Sequence, residues 1–258
     1  MGHFRDLTSA PEAEPCVLVV AGSDSSGGAG IVRDIETIGA FGLRSCLAVT
    51  GITVQTHSSV DRVEPAPPGL VAQQMRAAFA ANSVEAVKIG MLGTGAAIAE
   101  AASVVKEYRH DRVVLDPVLA SSSGRSLLAD QAIASLLHDL MPLCRLVTPN
   151  LNELATLVGE SPAGQQADAR RQGERLARLI GTSVLVKGGH AEGDEAIDLL
   201  LQPGHKPVAI AAPRLPREMR GTGCMLSSAI AASLAGGATL EMSVRSAKRY
   251  VFDALLRS

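Results

Sequence analysis

The sequence predicts an α/β protein built on a doubly wound, mostly parallel sheet with helices on both faces. Two observations support this prediction: short, nearly continuous apolar runs alternate with segments of helical periodicity, and these runs end in glycine or polar residues. Strands that are buried on both faces of a parallel sheet have this appearance. The 258 residues fit one domain, because α/β folds with one large sheet often reach about 250 residues.

The first strand, helix and second strand lie near the N-terminus. Residues 16–21 (CVLVVA) predict a buried strand, and a glycine-rich turn follows them. Three isoleucines recur at helical spacing between residues 30 and 42, and residues 45–54 (SCLAVTGITV) predict the second strand. This order is that of a βαβ unit.

The alternation continues through most of the chain. Helices are predicted at about 68–81, 96–108, 130–140, 151–158 and 167–180, and strands at 86–89, 112–115, 145–147 and 183–186. The pattern then changes, since 196–201 and 208–211 predict an antiparallel hairpin at the sheet edge. Two closing helices begin at about residues 223 and 240.

The chain divides into a short arm and one domain. Residues 1–15 carry three acidic side chains and two prolines where a signal peptide needs an apolar run, so they predict a flexible N-terminal arm. No repeat or low-complexity tract interrupts residues 16–258, which we expect to form a single domain. The four cysteines are far apart and form no C-x-x-C pair, which favours a reducing cytoplasm.

The composition argues against nucleic-acid and membrane partners. The 24 basic and 26 acidic side chains nearly balance, no basic cluster is present, and Trp is absent. The charge-free segment between Arg220 and Glu241 is long enough to span a membrane. It consists mostly of Ala, Gly, Ser and Thr, which is typical of a tightly packed internal helix.

Polar and glycine residues follow the predicted strands at one edge of the sheet, where ligands bind in open parallel sheets. These strand ends are 22–30 (GSDSSGGAG), Gln55, 88–91 (KIGM), 116–117 (DP), 148–153 (TPNLNE), 187–190 (KGGH) and 220–224 (RGTGC). The chain lacks both the P-loop motif and the G-x-G-x-x-G motif of dinucleotide binding. Any phosphate is therefore held in another way.

The sequence Gly221-Thr222-Gly223-Cys224 opens the charge-free helix. Small residues at a helix N-terminus leave backbone N–H groups open to an anion, and the helix dipole favours negative charge there. The same residues also fit a plain glycine turn before a buried helix. The dipole would favour the thiolate of Cys224.

Asp34 and Gln55 are candidate ligand-binding residues. Asp34 falls within the apolar stripe of the first helix, and buried carboxylates need a partner. It either pairs with a neighbour for structural reasons or faces a cavity and binds ligand. Gln55 offers a donor and an acceptor that match an amino-substituted nitrogen heterocycle.

The remaining strand-end residues have structural explanations when taken singly. Asn150 and Glu153 have capping-box spacing, Asp116 and Lys187 precede turn-forming residues, and His190 fits a surface turn. Only their shared position at one edge of the sheet favours a nucleotide-phosphate site.

The order of the motifs also carries a resemblance. The chain contains AGSDSSGGAG at 21–30, KIGM at 88–91, VLDPV at 114–118, TPN at 148–150 followed by Glu153, KGGH at 187–190 and GTGC at 221–224. This succession resembles the hydroxymethylpyrimidine/phosphomethylpyrimidine kinases of thiamine biosynthesis, which belong to the ribokinase-like superfamily. The resemblance runs from about residue 16 to about residue 235 and implies a three-layer α/β/α fold.

The resemblance also implies an activity. It implies transfer of the γ-phosphoryl group of ATP, with Mg²⁺, to the hydroxymethyl group of 4-amino-5-hydroxymethyl-2-methylpyrimidine. Family members often phosphorylate the resulting monophosphate as well, and they suggest a homodimer. The partners implied are thus the small pyrimidine and ATP.

Site residues follow from the matching positions. The pyrimidine would be held by Gly22, Asp34, Gln55 and Met91, and the anion hole would be formed by Gly221, Thr222 and Gly223 with Cys224 beside the acceptor hydroxyl. The nucleotide side would comprise Asp116, Asn150, Glu153, Lys187 and Arg220, with Glu153 meeting Mg²⁺ directly or through water. The sequence leaves open whether Cys224 acts as a base or only orients the hydroxyl.

Three positions depart from the family pattern. Arg220 stands where these kinases usually have His, Met225 where Thr is usual, and Ser122 where a lysine is common. We hypothesise that Arg220 or Arg125 replaces the charge lost at Ser122, because a guanidinium can hold phosphate in a bidentate manner.

The sequence is also compatible with two other functions. A pyridoxal kinase of the same superfamily acts on a similar methylated heterocycle with a hydroxymethyl group. A non-catalytic pyrimidine sensor would keep the pocket and lose the transfer, as the changes at Arg220 and Ser122 suggest. A sugar kinase fits less well, because residues 16–55 leave no room for an inserted lid of several strands and the loop carries Cys224 in place of an acid.

Overall fold

The computed structural model describes residues 14–121, 124, 127–188, 194–217 and 219–258. The strands are β1 Pro15–Gly22, β2 Arg44–Gln55, β3 Val60–Pro65, β4 Ser83–Ile89, β5 Val113–Leu115, β6 Leu146–Val147, β7 Ser183–Val186, β8 Glu195–Leu201 and β9 Val208–Pro213. The helices are α1 Gly30–Ala40, α2 Leu70–Ala81, α3 Gly95–Tyr108, α4 Asp130–Ser135, α5 Leu151–Val158, α6 Gln166–Ile180, α7 Thr222–Ala235 and α8 Leu240–Arg257. No helix in the described ranges is both long and apolar enough to cross a membrane.

All of these strands form one sheet in the order β3-β2-β1-β4-β5-β6-β7-β8-β9. The central strands from β2 to β7 pair in parallel, whereas β3, β8 and β9 pair antiparallel at the two edges. The chain starts in the middle of the sheet, moves outward on one side with β2, and returns across β1 to β4. The order therefore reverses between β1 and β4, which is the switch point where ligands bind in such sheets.

Two layers of helices cover the sheet. Helices α2 to α6 pack on one face and α1, α7 and α8 on the other. The alternation of β1 shows the division, because Leu18 and Val20 point into the first core and Val17 and Val19 into the second. The predicted three-layer α/β/α class, with its edge hairpin β8–β9, is confirmed.

Two details of the fold were not predicted. Strand β3 carries Asp61, Arg62 and Glu64 among few apolar residues, so its sequence lacks a strand pattern, and charged side chains of this kind suit an edge strand. The helix predicted at 130–140 is regular only to Ser135 and continues as a π-helical turn over Leu136–Leu140 and a 3₁₀ turn over Met141–Leu143. Pro142 lies in this last turn and cannot donate a helical hydrogen bond.

Candidate active site

The strand ends that the sequence singled out meet around the N-terminus of α7, beside the switch point. A Cβ atom placed on Gly223 would lie 3.4 Å from Asp116 Oδ2 and 3.4 Å from Lys187 Nζ. The first turn of α7 therefore lies directly against the residues that follow β5 and β7. The predicted gathering of Asp116, Lys187 and the glycine loop is seen in the structure.

The N-terminus of α7 is built to leave its amides open. Gly221 precedes the helix with φ of 75°, and no side chain in the described part of the chain caps the helix there. A Cβ on Gly221 would lie 2.4 Å from the carbonyl oxygen of Gly28, so only glycine lets the loop after β1 come this close. The uncapped amides and the helix dipole together can bind an anion.

Cys224 lies in the first turn of α7 and is half-buried as a residue. Burial raises the pKa of the Cys224 thiol to about 11, while the charge of Lys88 lowers it and those of Asp34 and Asp116 raise it. Burial therefore outweighs the groups that favour the Cys224 thiolate, and the net pKa of the thiol is raised. A protonated thiol suits the orienting role better than the role of a base.

Asp34 belongs to a buried ion pair. Lys88 Nζ donates to its Oδ1 and Oδ2 at 2.8 and 2.7 Å, and Ser228 Oγ donates to Oδ1 at 2.8 Å. Both Asp34 and Lys88 have no exposed surface. Direct contact of Asp34 with the pyrimidine, which the resemblance implies, would require these buried bonds to break. The alternative that it pairs with a neighbour is the one the structure shows.

Lys88, in the KIGM motif at 88–91, is a residue of the site for which the sequence predicted no role. A lysine within the apolar run of β4 (SVEAVKI) needs a buried partner, and Asp34 was the unpaired carboxylate that could supply it. A lysine in an apolar strand together with a carboxylate in an apolar helix stripe could therefore have predicted the ion pair from the sequence. The pKa of Lys88 is raised, because the nearby Asp34, Cys224 and Asp116 outweigh the opposing effect of burial.

Gly22, Gln55 and Met91 stand at the ends of β1, β2 and β4. A Cβ on Gly22 would lie 2.3 Å from Met91 Cε, so the methionine side chain lies directly over this glycine. The backbone of Gln55 is fixed by Ser25, whose Oγ donates to its carbonyl at 2.7 Å and accepts from its N–H at 2.8 Å. Its side-chain Oε1 accepts from Thr53 Oγ1 at 3.3 Å, and the side chain is half-buried.

A second ion pair lies beside the first turn of α7, next to Gly223. Lys187 Nζ lies 2.7 Å from Asp116 Oδ1 and 3.8 Å from Glu153 Oε2. The predicted capping box is confirmed, since Asn150 Oδ1 accepts from the Glu153 N–H at 2.9 Å and Glu153 Oε2 accepts from the Asn150 N–H at 2.8 Å. Asn150 and Glu153 thus have a structural role, and Glu153 at the same time faces Lys187.

Three charged side chains lie close together at this second pair. Burial raises the pKa of Glu153 to about 7, helped by the nearby Asp116 and opposed by Lys187. The pKa of Lys187 is raised, because Asp116 and Glu153 more than offset its own burial. Protonation of Glu153 near neutral pH therefore depends on what else binds between these side chains.

Arg220 is held within the protein. Its Nη1 donates to Ser26 Oγ at 3.0 Å and to the carbonyl of Thr56 at 2.8 Å, and its Nη2 lies 3.3 Å from Asp24 Oδ2. The guanidinium thus ties the loop before α7 to the loop after β1 and the end of β2. These bonds favour a structural role for Arg220 over the nucleotide contact implied by the resemblance. Ser122, Arg125 and His190 lie outside the described residues.

The site fits a magnesium ion that arrives with a nucleotide. No group of three or more His, Cys, Asp or Glu side chains that could hold a metal occurs in the described ranges. Mg²⁺ is usually held by one or two carboxylates together with substrate phosphates and waters. The buried Glu153, whose pKa is raised by burial and by the nearby Asp116, is a carboxylate that such an ion would suit.

Comparison with known proteins shows a consistent set of relatives. The family model for phosphomethylpyrimidine kinase matches residues 24–258. The chain is 43% identical over 239 residues to a hydroxymethylpyrimidine/phosphomethylpyrimidine kinase of Rhizobium meliloti, with 92% of this chain and 89% of the relative covered.

Solved structures show the same relationship. The phosphomethylpyrimidine kinase of Clostridium difficile 630 is 35% identical with a TM-score of 0.80, covering 93% of this chain and 99% of that one. A pyridoxal kinase of Staphylococcus aureus in complex with ADP is 29% identical with a TM-score of 0.86, covering 94% of this chain and 88% of that one.

Proposed function

Since the chain belongs to the phosphomethylpyrimidine kinase family, we propose that it transfers the γ-phosphoryl group of ATP to the hydroxymethyl group of 4-amino-5-hydroxymethyl-2-methylpyrimidine in thiamine biosynthesis. One observation carries the proposal for the site. The uncapped N-terminus of α7 lies against the Asp116–Lys187 pair at Gly223 and against the loop after β1 at Gly221. A phosphoryl group bound there would have the nucleotide on one side and the acceptor hydroxyl on the other.

The transfer requires placement and charge more than a strong base, because the transition state of phosphoryl transfer is loose. The amides of Gly221, Thr222 and Gly223 would stabilise the charge that spreads over the phosphoryl oxygens. Cys224, protonated because its pKa is about 11, would hold the acceptor hydroxyl in line. Mg²⁺ bound with the phosphates would neutralise part of their charge, and Glu153 would hold it directly or through water.

The pyrimidine would bind at the ends of β1, β2 and β4. The amide of Gln55 offers a donor and an acceptor to a ring nitrogen and the amino group. The sulfur of Met91 would pack on the ring, as thioethers do on aromatic systems. Gly22 leaves the space that Met91 occupies, because any side chain there would collide with Met91 Cε at 2.3 Å.

A coupled assay of ADP formation tests this proposal. We expect the wild-type chain to phosphorylate the hydroxymethylpyrimidine, and we expect kcat to fall at least about tenfold in Cys224→Ala with little change in the KM for ATP. Cys144→Ala is a control for loss of a buried thiol elsewhere, since Cys144 lies in the core away from α7. A wild-type protein that binds the pyrimidine without forming ADP would support the sensor instead. The same assay with the monophosphate tests the second phosphorylation.

Pyridoxal phosphorylation is the second candidate activity. It is favoured by the TM-score of 0.86 to the Staphylococcus aureus pyridoxal kinase, against 0.80 for the Clostridium difficile phosphomethylpyrimidine kinase. Competition between pyridoxal and the hydroxymethylpyrimidine for the same enzyme decides between them. We expect kcat/KM to be higher for the pyrimidine.

A homodimer is also proposed, through the projecting part of β2. Ile52 and Val54 are 63% and 54% exposed while Thr53 between them is buried, so the two apolar side chains share one face. An exposed apolar face next to a site suits contact with a second copy of the chain. We expect a dimer by light scattering and a monomer for the double variant Ile52→Lys/Val54→Lys; a wild-type monomer would refute the proposal.

A further inference from the structure

The buried pair of Lys88 and Asp34 joins three elements beneath the active site. Lys88 extends from β4, Asp34 lies on α1, and Ser228 lies on α7. Three hydrogen bonds of 2.7–2.8 Å link them, and all three residues are fully buried. None of them is free to contact a substrate in this arrangement.

Stability alone does not account for this pair. A buried ion pair costs about as much in desolvation as it gains in attraction, and well-packed apolar residues often serve the core equally well. The surrounding chain is also adapted to the lysine, because a Cβ on Gly90 would lie 2.8 Å from Lys88 Nζ. Such a costly arrangement at the switch point calls for a role in what happens there.

The position of Ser228 indicates that role. Ser228 follows Cys224 by four residues, which is about one helical turn, so both lie on the same side of α7. The hydrogen bonds that Ser228 and Lys88 both donate to Asp34 therefore connect the turn that carries Cys224 to the end of β4. A shift of α7 along β4 would break this chain of bonds.

We propose that Lys88 and Asp34 are positioning residues of phosphoryl transfer, which with Ser228 fix Cys224 and the amides of residues 221–223 against the end of β4. The inference rests on the proposed function, because the reaction that these residues would serve is the proposed phosphoryl transfer. The pair also balances the charge beneath the thiol. Charged groups face Cys224 from each neighbouring element: Lys88 from β4, Asp34 from α1, Asp116 after β5 and Lys187 after β7.

Alkylation of Cys224 by iodoacetamide across a pH range tests, in the full-length chain, whether the charges of Lys88 and Asp34 balance each other near the thiol. Asp34→Asn leaves the ammonium of Lys88 unopposed, so the pH midpoint of alkylation falls by about one unit or more. Lys88→Met leaves the carboxylate unopposed, so the midpoint rises. The double variant returns toward wild type. Peptide mass spectrometry separates Cys224 from the other three cysteines.

Opposite shifts that cancel in the double variant support the inference, because general loosening of the fold would speed alkylation in both single variants. Equal shifts in one direction, or no shift, overturn it. Glu100→Gln is a control: Glu100 binds the N–H groups of Gly69 and Ala72 at the start of α2, away from α7, and should leave the midpoint unchanged.

Kinetics of Ser228→Ala provide a second test that keeps the ion pair intact. We expect kcat to fall about fivefold, with the KM for both substrates changed less than about twofold, since the bond to α7 is lost while the binding surfaces remain. An unchanged kcat overturns the positioning role. If the wild-type chain does not phosphorylate the pyrimidine at all, the proposed function fails, whereas the alkylation shifts still decide whether the pair controls Cys224.

Discussion

Arg220→Ala separates two explanations of this arginine. The sequence suggested that its guanidinium holds phosphate, whereas the structure shows it bonded to Asp24, Ser26 and Thr56. In the second case the arginine orders the loop after β1, where the pyrimidine would bind. The two explanations predict changes in the KM of different substrates.

The size of the effect follows from burial. The Asp24 side chain is 3% exposed and that of Arg220 is 22% exposed, with 3.3 Å between Nη2 and Oδ2. Breaking a buried pair by removing one partner costs about 3–5 kcal/mol. Asp24 keeps the N–H and Oγ of Ser26 as donors at 2.9 and 2.7 Å, and Arg220 is partly solvated, so about 2 kcal/mol is a reasonable value.

Steady-state kinetics with each substrate varied in turn measure the outcome. If binding of the pyrimidine must supply about 2 kcal/mol to order the loop after β1, the KM for the pyrimidine rises roughly 30-fold. The KM for ATP should change less than about twofold. Arg245→Ala removes an arginine from an exposed pair with Glu241 and serves as the control. A rise in the KM for ATP with an unchanged KM for the pyrimidine would refute the reasoning and restore the phosphate contact.

Two further variants test the site. Glu153→Gln preserves the capping box and removes a carboxyl that ionises unfavourably in the fold, since its pKa is about 7 against an ordinary 4.5. The unfolding free energy of the variant minus that of the wild type should therefore rise between pH 4.5 and 7, by up to about 3 kcal/mol. Thermal melts across this range measure it, and a difference that does not change with pH would contradict the reasoning. Gly221→Ala should lower both kcat and stability, because its Cβ would meet the Gly28 carbonyl at 2.4 Å. Gly237→Ala shares the positive φ without a neighbour within 4 Å, so it should cost only about 1 kcal/mol and leave kcat unchanged; equal effects would contradict the packing argument.

The structural features that could be predicted from the sequence are those that depend on residues close together in the chain. The apolar run of β1 and the capping box of Asn150 and Glu153 are local patterns, and both are present in the structure. The partners of Asp34 and Arg220 are not local: Lys88 is 54 positions from Asp34, and Asp24 is 196 positions from Arg220. Burial of Asp34 could be predicted from its helical stripe, but which basic side chain meets it depends on how the sheet is ordered.

Charge at the switch point leads to a consequence for nucleotide binding. The two buried lysines, Lys88 and Lys187, are each paired with an aspartate, Asp34 and Asp116, so these four side chains cancel. Glu153 adds negative charge whenever it is ionised, and its pKa of about 7 shows that the site already resists that charge. The triphosphate of ATP would add several more negative charges near the same carboxylates. The amides of a helix end supply only about half a positive charge, so we propose that the nucleotide binds together with its own divalent cation.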